Sequence, residues 1–350
     1  MGLPVLRLPF LSFDKIYKFL NVPEKIILSR CSKSMKAVVM SKESPREGWE
    51  LNFVIEEHFS CIFVWKKSES TSKFAWWLET DAIGDDERVE PKMNGDRVNW
   101  KSTVKQEFYG EELLAIIKIL KETFKCSVRD VSYFSDRSTF RKLFMETNVF
   151  HRANSILIYR EDTYEPEELN FMFDNFVVGY FDIWMDCVPG YSYPKPLNYW
   201  TLYMRYARWI NIEMILEMVK NSACVVLDEA NLITDKDINQ LVKSWLISDN
   251  KKLKILFIGR EHDNIDIDAI MEGIESTPGR KKRRTAMPYP TQHIYLNDCY
   301  EDGLDICRKD GAQATVMAEA SWFALGVMQL ANPNLEEGEV EDEQEELNDD

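Results

Sequence analysis

Hydrophobic positions recur in different rhythms along this chain of 350 residues. Near the amino terminus Leu8-Pro9 opens a stretch in which Ile16, Phe19 and Leu20 fall at helical spacing. Asn21-Val22-Pro23-Glu24 ends that helix and starts another, because proline suits a first turn and the residue before it resists the helical region. Ile26, Ile27, Cys31, Met35 and Val38 carry the second period. Two or three short helices are predicted, followed by a polar hinge over 40–48 that holds Pro45.

The rhythm then changes. Residues 49–65, 73–79 and 98–108 are rich in β-branched and aromatic side chains and read as strands. With a hairpin loop at 80–95, they predict a small antiparallel sheet. From 111 helices and strands alternate: helix 111–126, strand 128–134, helix 138–149, strand 155–159 and helix 165–176, the last with Pro166 in its first turn. Residues 177–200 read as irregular and 204–219 as a helix. The clearest unit spans 223–259. Cys224-Val225-Val226-Leu227 is a strand, and Thr234 with Asp237 forms a capping-box-like pair. Ile238, Leu241, Val242 and Trp245 make a buried helical stripe, and 253–258 is the next strand. A short helix at 267–274 and a strand at 293–296 follow. A hairpin turns at Lys309-Asp310-Gly311, and a last strand covers 322–328.

A helical unit of about 40 residues buries too little apolar surface to stand alone. Something must cover Leu8, Pro9, Ile16, Leu20, Pro23 and Ile26, and each aliphatic left in water forgoes roughly 1.5–3 kcal/mol. The pattern leaves open whether the cover is the rest of this chain or another protein.

Composition narrows the classes. The chain is 45% hydrophobic and 12% aromatic, enough for a large core. Its seven cysteines are scattered without a C-x-x-C, which points to reduced thiols and an intracellular home. His58, His151, His262 and His293 show no metal-ligand spacing, so neither a metal nor another cofactor is expected. No apolar run is long enough for a membrane span. The formal charge is −16, and residues 336–350 hold ten acidic and no basic side chains, a tail expected to be disordered. So acidic a chain is a poor nucleic-acid binder. Arg280 to Arg284, RKKRR, reads as a solvated loop or a localisation signal.

Tempting chemistry is absent on inspection. Val225 to Ala230, VVLDEA, mimics a Walker B strand, but no Gly-Lys dipeptide exists to build the phosphate loop. No G-x-S-x-G or H-E-x-x-H occurs, and no cysteine is paired with a histidine. The aromatics Trp184, Tyr191, Tyr193, Tyr199, Trp200, Tyr203, Tyr206 and Trp209 are core by default and a recognition surface as the functional alternative.

Leu8, Pro9, Ile16, Leu20, Pro23, Glu24, Ile26, Leu28, Ser29 and Lys33 together resemble an F-box, the helical module that docks the Skp-type adaptor of cullin ubiquitin ligases. Met35 stands where many F-boxes have tryptophan, and the Cys31-Ser32-Lys33 ending is similar to nematode F-boxes. Further on, VVLDEANLITDKDINQLVKSWL, LKILFI and DICRKDGAQATV resemble the type-2 F-box-associated domain of nematode F-box proteins. The strand–turn–helix–strand unit of 223–259 resembles a leucine-rich-repeat unit, with weaker copies near Val128 and Ser155.

The resemblance implies an α+β chain: an all-helical F-box at 3–42, a linker at 43–48, a mixed α/β substrate-recognition domain at 49–330 with leucine-rich-repeat-like units, and an acidic tail at 333–350. It implies a non-catalytic adaptor of a Skp–cullin–F-box ligase. Leu8, Pro9, Ile16, Leu20, Pro23 and Ile26 would meet the Skp-type adaptor, and through it a cullin. The larger domain would hold a target protein. The alternative is a protein-interaction module that binds the adaptor outside any ligase.

Overall fold

The computed structural model describes residues 10–20, 22–42, 48–67, 72–81, 98–159, 163–184, 186–261, 264–279 and 303–327. Leu8, Pro9, the basic run 280–284, the expected strand at 293–296 and the acidic tail lie outside them, as do most of the 43–48 linker and of the 80–95 loop.

Three short helices come first: α1 (Phe10–Phe19), α2 (Val22–Arg30) and α3 (Lys33–Lys42). Phe13 and Tyr17 of α1 close over Met35 and Val39 of α3, and Leu20, Leu28 and Val38 pack around them. Met35 is thus core, as a flexible thioether in an irregular gap can be. Lys42 reaches Asp14 at 2.6 Å, which ties the end of α3 back to α1 and holds the Asp14 carboxyl below its usual range.

β1 (Trp49–Glu56), β2 (Phe59–Lys66) and β3 (Ser72–Thr80) run antiparallel in sequence, but β4 (Val98–Val104) pairs parallel with β3. The expected antiparallel sheet is therefore mixed, and it is not separate. β1 also pairs in parallel with β5 (Ser127–Phe134), reached through α4 (Tyr109–Phe124). Lys125, which follows α4, takes the left-handed conformation at φ 52 and ends the helix there.

From β5 the chain advances by one strand at a time. α5 (Arg137–Phe140) continues as a π-turn over Arg141–Met145 and leads to β6 (Arg152–Tyr159). α6 (Pro166–Asn175) leads to β7 (Val177–Trp184), and a helix-free crossover leads to β8 (Thr201–Arg205). α7 (Ile212–Asn221), β9 (Cys224–Leu227), α8 (Asp235–Ile247) and β10 (Ile255–Gly259) complete the series. Each strand pairs in parallel with its predecessor. β5 to β9 start at Ser127, Arg152, Val177, Thr201 and Cys224, steps of 25, 25, 24 and 23 residues.

After α9 (Ile267–Met271) come β11 (Thr277–Pro278), β12 (Leu304–Cys307), β13 (Gln313–Glu319) and β14 (Trp322–Val327), which cap the series with antiparallel pairs. The turn between β12 and β13 holds Gly311 at φ 88, a conformation that glycine adopts without a Cβ penalty. The fourteen described strands form one sheet, ordered β11-β12-β13-β14-β10-β9-β8-β7-β6-β5-β1-β2-β3-β4.

Two expectations are corrected here. Residues 177–184 form a strand, not an irregular segment, and the 204–219 region begins as strand β8 before its helix. The sequence TLYMR is β-favouring, and Asn211 starts α7 by accepting from the Met214 N–H at 3.0 Å. The crossover before β8 holds Pro189, Pro194 and Pro196, which exclude a helix. Tyr191, Tyr193, Leu197 and Tyr199 fill the core there instead. The Tyr191 and Tyr193 hydroxyls donate to Asn170 at 2.9 Å and Asp174 at 2.7 Å on α6.

One face of the sheet carries the main core. Val131, Ile156, Phe181, Leu202, Val225 and Leu256 point from successive strands into helices α4 to α8. Between α5 and α6, buried Glu168 accepts from Arg137 at 2.9 Å and from Arg141 at 3.1 Å, so an ion pair lies across the joint. At the other end Arg308, nearly buried, donates to Asp310 at 2.6 Å and stands 5.2 Å over the Trp245 ring. That contact joins the Asp310-Gly311 hairpin to α8.

α2 belongs to the same core, since Val22 and Ile26 pack into it and Lys36 of α3 pairs with Glu122 of α4. Ile26→Ala is expected to lower the unfolding free energy of the whole chain by about 2–5 kcal/mol. Phe19→Ala, on the exposed side of α1, is expected to change it little. Urea unfolding followed by tryptophan fluorescence compares the two.

Candidate functional site

The residues expected to meet an adaptor separate into three groups. Ile16 is 46% exposed on α1, with Phe19 beside it at 88%. Leu20 is half-buried against the small helical core, and Ile27 of α2 is 53% exposed. Ile26 is fully buried in the chain's own core. The reason is helical phase. Residues 22 and 26 share the face of α2 that rests on the large lobe, and 27 lies about 100° away from 26. Leu8, Pro9 and the Pro23 side chain lie outside the described residues.

The second candidate surface is the sheet face opposite the helices. Its small cluster of Tyr203, Cys224, Val226, Ile255, Met317 and Ala324 is made of strand residues alone, with Trp184, Phe257 and Trp322 packed against it. Towards β5 the face opens. Phe134 and Tyr159 lie 5.7 Å apart between ring centroids, and each is 38% exposed. Tyr159 stands opposite Trp184 at 4.5 Å, and Trp184 stacks on Tyr203 at 6.0 Å. Arg205 is opposite Trp184 in the ladder, with its guanidinium carbon 4.7 Å from that ring and 5.4 Å from Tyr206. Phe134, Tyr159, Trp184 and Arg205 thus end four successive parallel strands on one face.

On the same face, beneath the ring row, sits a buried acid. Asp182 accepts from the Tyr180 hydroxyl at 3.0 Å and from Trp184 Nε1 at 2.9 Å. Burial pushes its carboxyl up to about 7, and the two hydrogen bonds oppose that only in part. The indole of Trp184 is thereby fixed in the plane that Tyr159 and Arg205 touch.

The turns beyond the strands are acidic. Arg208 gathers Glu229, Glu261 at 3.2 Å and Asp186 at 3.4 Å. Tyr206 and Glu229 both take positive φ there, 60 and 56. Of the Walker-B-like acids of VVLDEA, Glu229 is held by Arg208 and Asp228 accepts from the Glu229 N–H at 3.1 Å. Tyr191, Tyr193, Tyr199 and Trp209 of the aromatic group are core, whereas Trp200 is half-exposed. Sequence reasoning singled out Trp184 and Tyr203 but missed Phe134, Tyr159, Asp182 and Arg205. A signal was present: Phe134, Tyr159 and Trp184 are spaced by 25 residues, the step between their strands.

Comparison with known proteins gives one family. A family model described as F-box associated matches residues 194–258, from the crossover before β8 to β10, and supports an F-box-associated domain there. No curated protein and no solved structure matches the chain. No described helix is long and apolar enough to cross a membrane, and the described residues hold no cluster of three or more His, Cys, Asp or Glu fit for a metal.

Asp182 makes stability depend on pH with a defined sign. Its folded value of about 7 lies above the unfolded carboxylate value near ~3.9. Its favourable contribution is full below about pH 4 and is lost as pH rises through about 7. The stability of Asp182→Asn relative to the parent is expected to rise between pH 5 and pH 8, by an amount on the order of 2–3 kcal/mol. Paired melting curves at the two pH values check it.

Proposed function

We propose that this chain is a non-catalytic substrate-recognition subunit of a Skp–cullin–F-box type ubiquitin ligase. The F-box-associated match over 194–258 carries the reading, because that family serves substrate recognition within F-box proteins. The amino-terminal arrangement is in keeping with it. Three short helices leave Ile16, Phe19 and Ile27 in water while their neighbours Phe13, Tyr17 and Met35 form a small core. Large aliphatic and aromatic side chains exposed on so small a unit are what an adaptor interface would cover. In this reading Leu8, Pro9, Ile16, Leu20 and Pro23 contribute to that interface and Ile26 anchors it from beneath.

The strand–helix series from β5 to β10 is the leucine-rich-repeat-like part in this reading. Its period of 23–25 residues over β5 to β9 supports that label. Holding a target on the series while the helices hold the adaptor raises the target's effective concentration at a conjugating enzyme. No side chain of this chain then needs to react.

Purified Skp-type adaptor is expected to be captured by the full chain. Ile16→Asp with Phe19→Asp is expected to reduce capture at least tenfold at an unchanged melting temperature. Equal capture by the double variant would remove this interface. Recovery of adaptor without cullin from cells would favour an interaction module acting outside a ligase.

A further inference from the structure

Arg205 has no anionic partner among the described residues. Among the described residues no carboxylate reaches its guanidinium, and its Nε is buried with no hydrogen-bond partner. The chain as a whole carries a net charge of −16, so acidic side chains outnumber basic ones overall. The aromatic planes of Trp184 and Tyr206 hold it in place instead. A guanidinium held against two rings loses little freedom on binding a carboxylate. Next to it, Phe134 and Tyr159 present a ring pair to water on the same sheet face.

We propose that this face docks an extended segment of a target protein, with a large apolar side chain seated on Phe134 and Tyr159 and an Asp or Glu carboxylate bound by Arg205. This deepens the reading above and rests on it. The spacing follows from the sheet. Tyr159 and Arg205 are two strands apart, hence about 10 Å across the ladder. An extended chain rises about 3.3 Å per residue, so the apolar residue and the acid lie about three positions apart. The charge of the anion is also set. Arg208, which shares Tyr206 with Arg205, is surrounded by Asp186, Glu229 and Glu261. Three carboxylates that close repel a dianion more than a monoanion. A carboxylate therefore suits the place better than a phosphate, and Arg can take it with two parallel N–H bonds.

The test is selection of random 12-residue phage-displayed peptides on the full chain. The strongest sequence is then made as a labelled peptide for anisotropy titration. The expected consensus has a Phe, Trp, Leu or Ile about three positions from an Asp or Glu. Changing that acid to its amide should weaken binding at least tenfold, and so should Arg205→Glu in the protein. Arg205→Lys, which keeps the charge but not the planar stack, should fall between. Circular dichroism of both variants checks folding, and the lysine variant remains informative if the glutamate variant fails to fold. Ile16→Asp with Phe19→Asp should bind the peptide as the parent does. No consensus, a consensus without an acid, or equal binding by Arg205→Lys and its parent would overturn the proposal. Tenfold tighter binding of a phosphoserine version would overturn the carboxylate assignment. Adaptor capture is measured separately, so loss of capture with an intact peptide site would count against the ligase reading alone.

Discussion

A short parallel strand cannot bury itself, and that constraint organises most of this molecule. β9 has four residues and β8 five, and each is covered only because a neighbour lies on either side and a helix or an aromatic crossover lies beneath. Stacked units of this sort gain their stability from nearest-neighbour contacts. The ends then need protection. At one end the antiparallel strands β11 to β14 close the series, fixed to α8 by Arg308 and Trp245. At the other, β1 to β4 do the same, and α2 packs against them and α4 with Ile26 as its buried contact. The amino-terminal helices are therefore joined to the sheet by a shared core, and their exposed side chains have a rigid base.

The same constraint leaves one face open. Helices take one side of the sheet, and among the described residues the rings of the other side pack on one another and on Arg205. Phe134, Tyr159 and Trp184 repeat at the strand step, and Asp182 braces Trp184 from within the sheet. A row of rings next to a half-buried arginine suits recognition, since few side-chain rotamers remain to be frozen on binding. In the proposed function, docking falls to α1 and target reading to the ends of β5 to β8.

Much of this was legible from sequence where local chemistry agrees with tertiary need. The helix over 111–126 shows its apolar stripe, Thr234 and Asp237 cap α8 as their spacing predicts, and the Asp310-Gly311 turn forms its hairpin. The strands at 177 and 201 were hidden for a physical reason. TLYMR is buried at four consecutive positions and VVGYFDIW over Phe181, Asp182 and Ile183, so neither alternates cleanly, and the prolines between them mask the repeat. The burial of Ile26 was illegible because periodicity reports that a side is apolar, not what covers it. Arg205 was illegible because its character is a missing partner, which only three dimensions reveal.

The central claim is that α1 and its neighbours form a docking face on a rigid base. Hydrogen–deuterium exchange of the full chain, with and without purified Skp-type adaptor, tests it most directly. The account predicts slowed exchange over residues 10–30 on adding adaptor and unchanged exchange over 127–205. Unchanged exchange over 10–30 at saturating adaptor, or protection centred on the open sheet face, would contradict it.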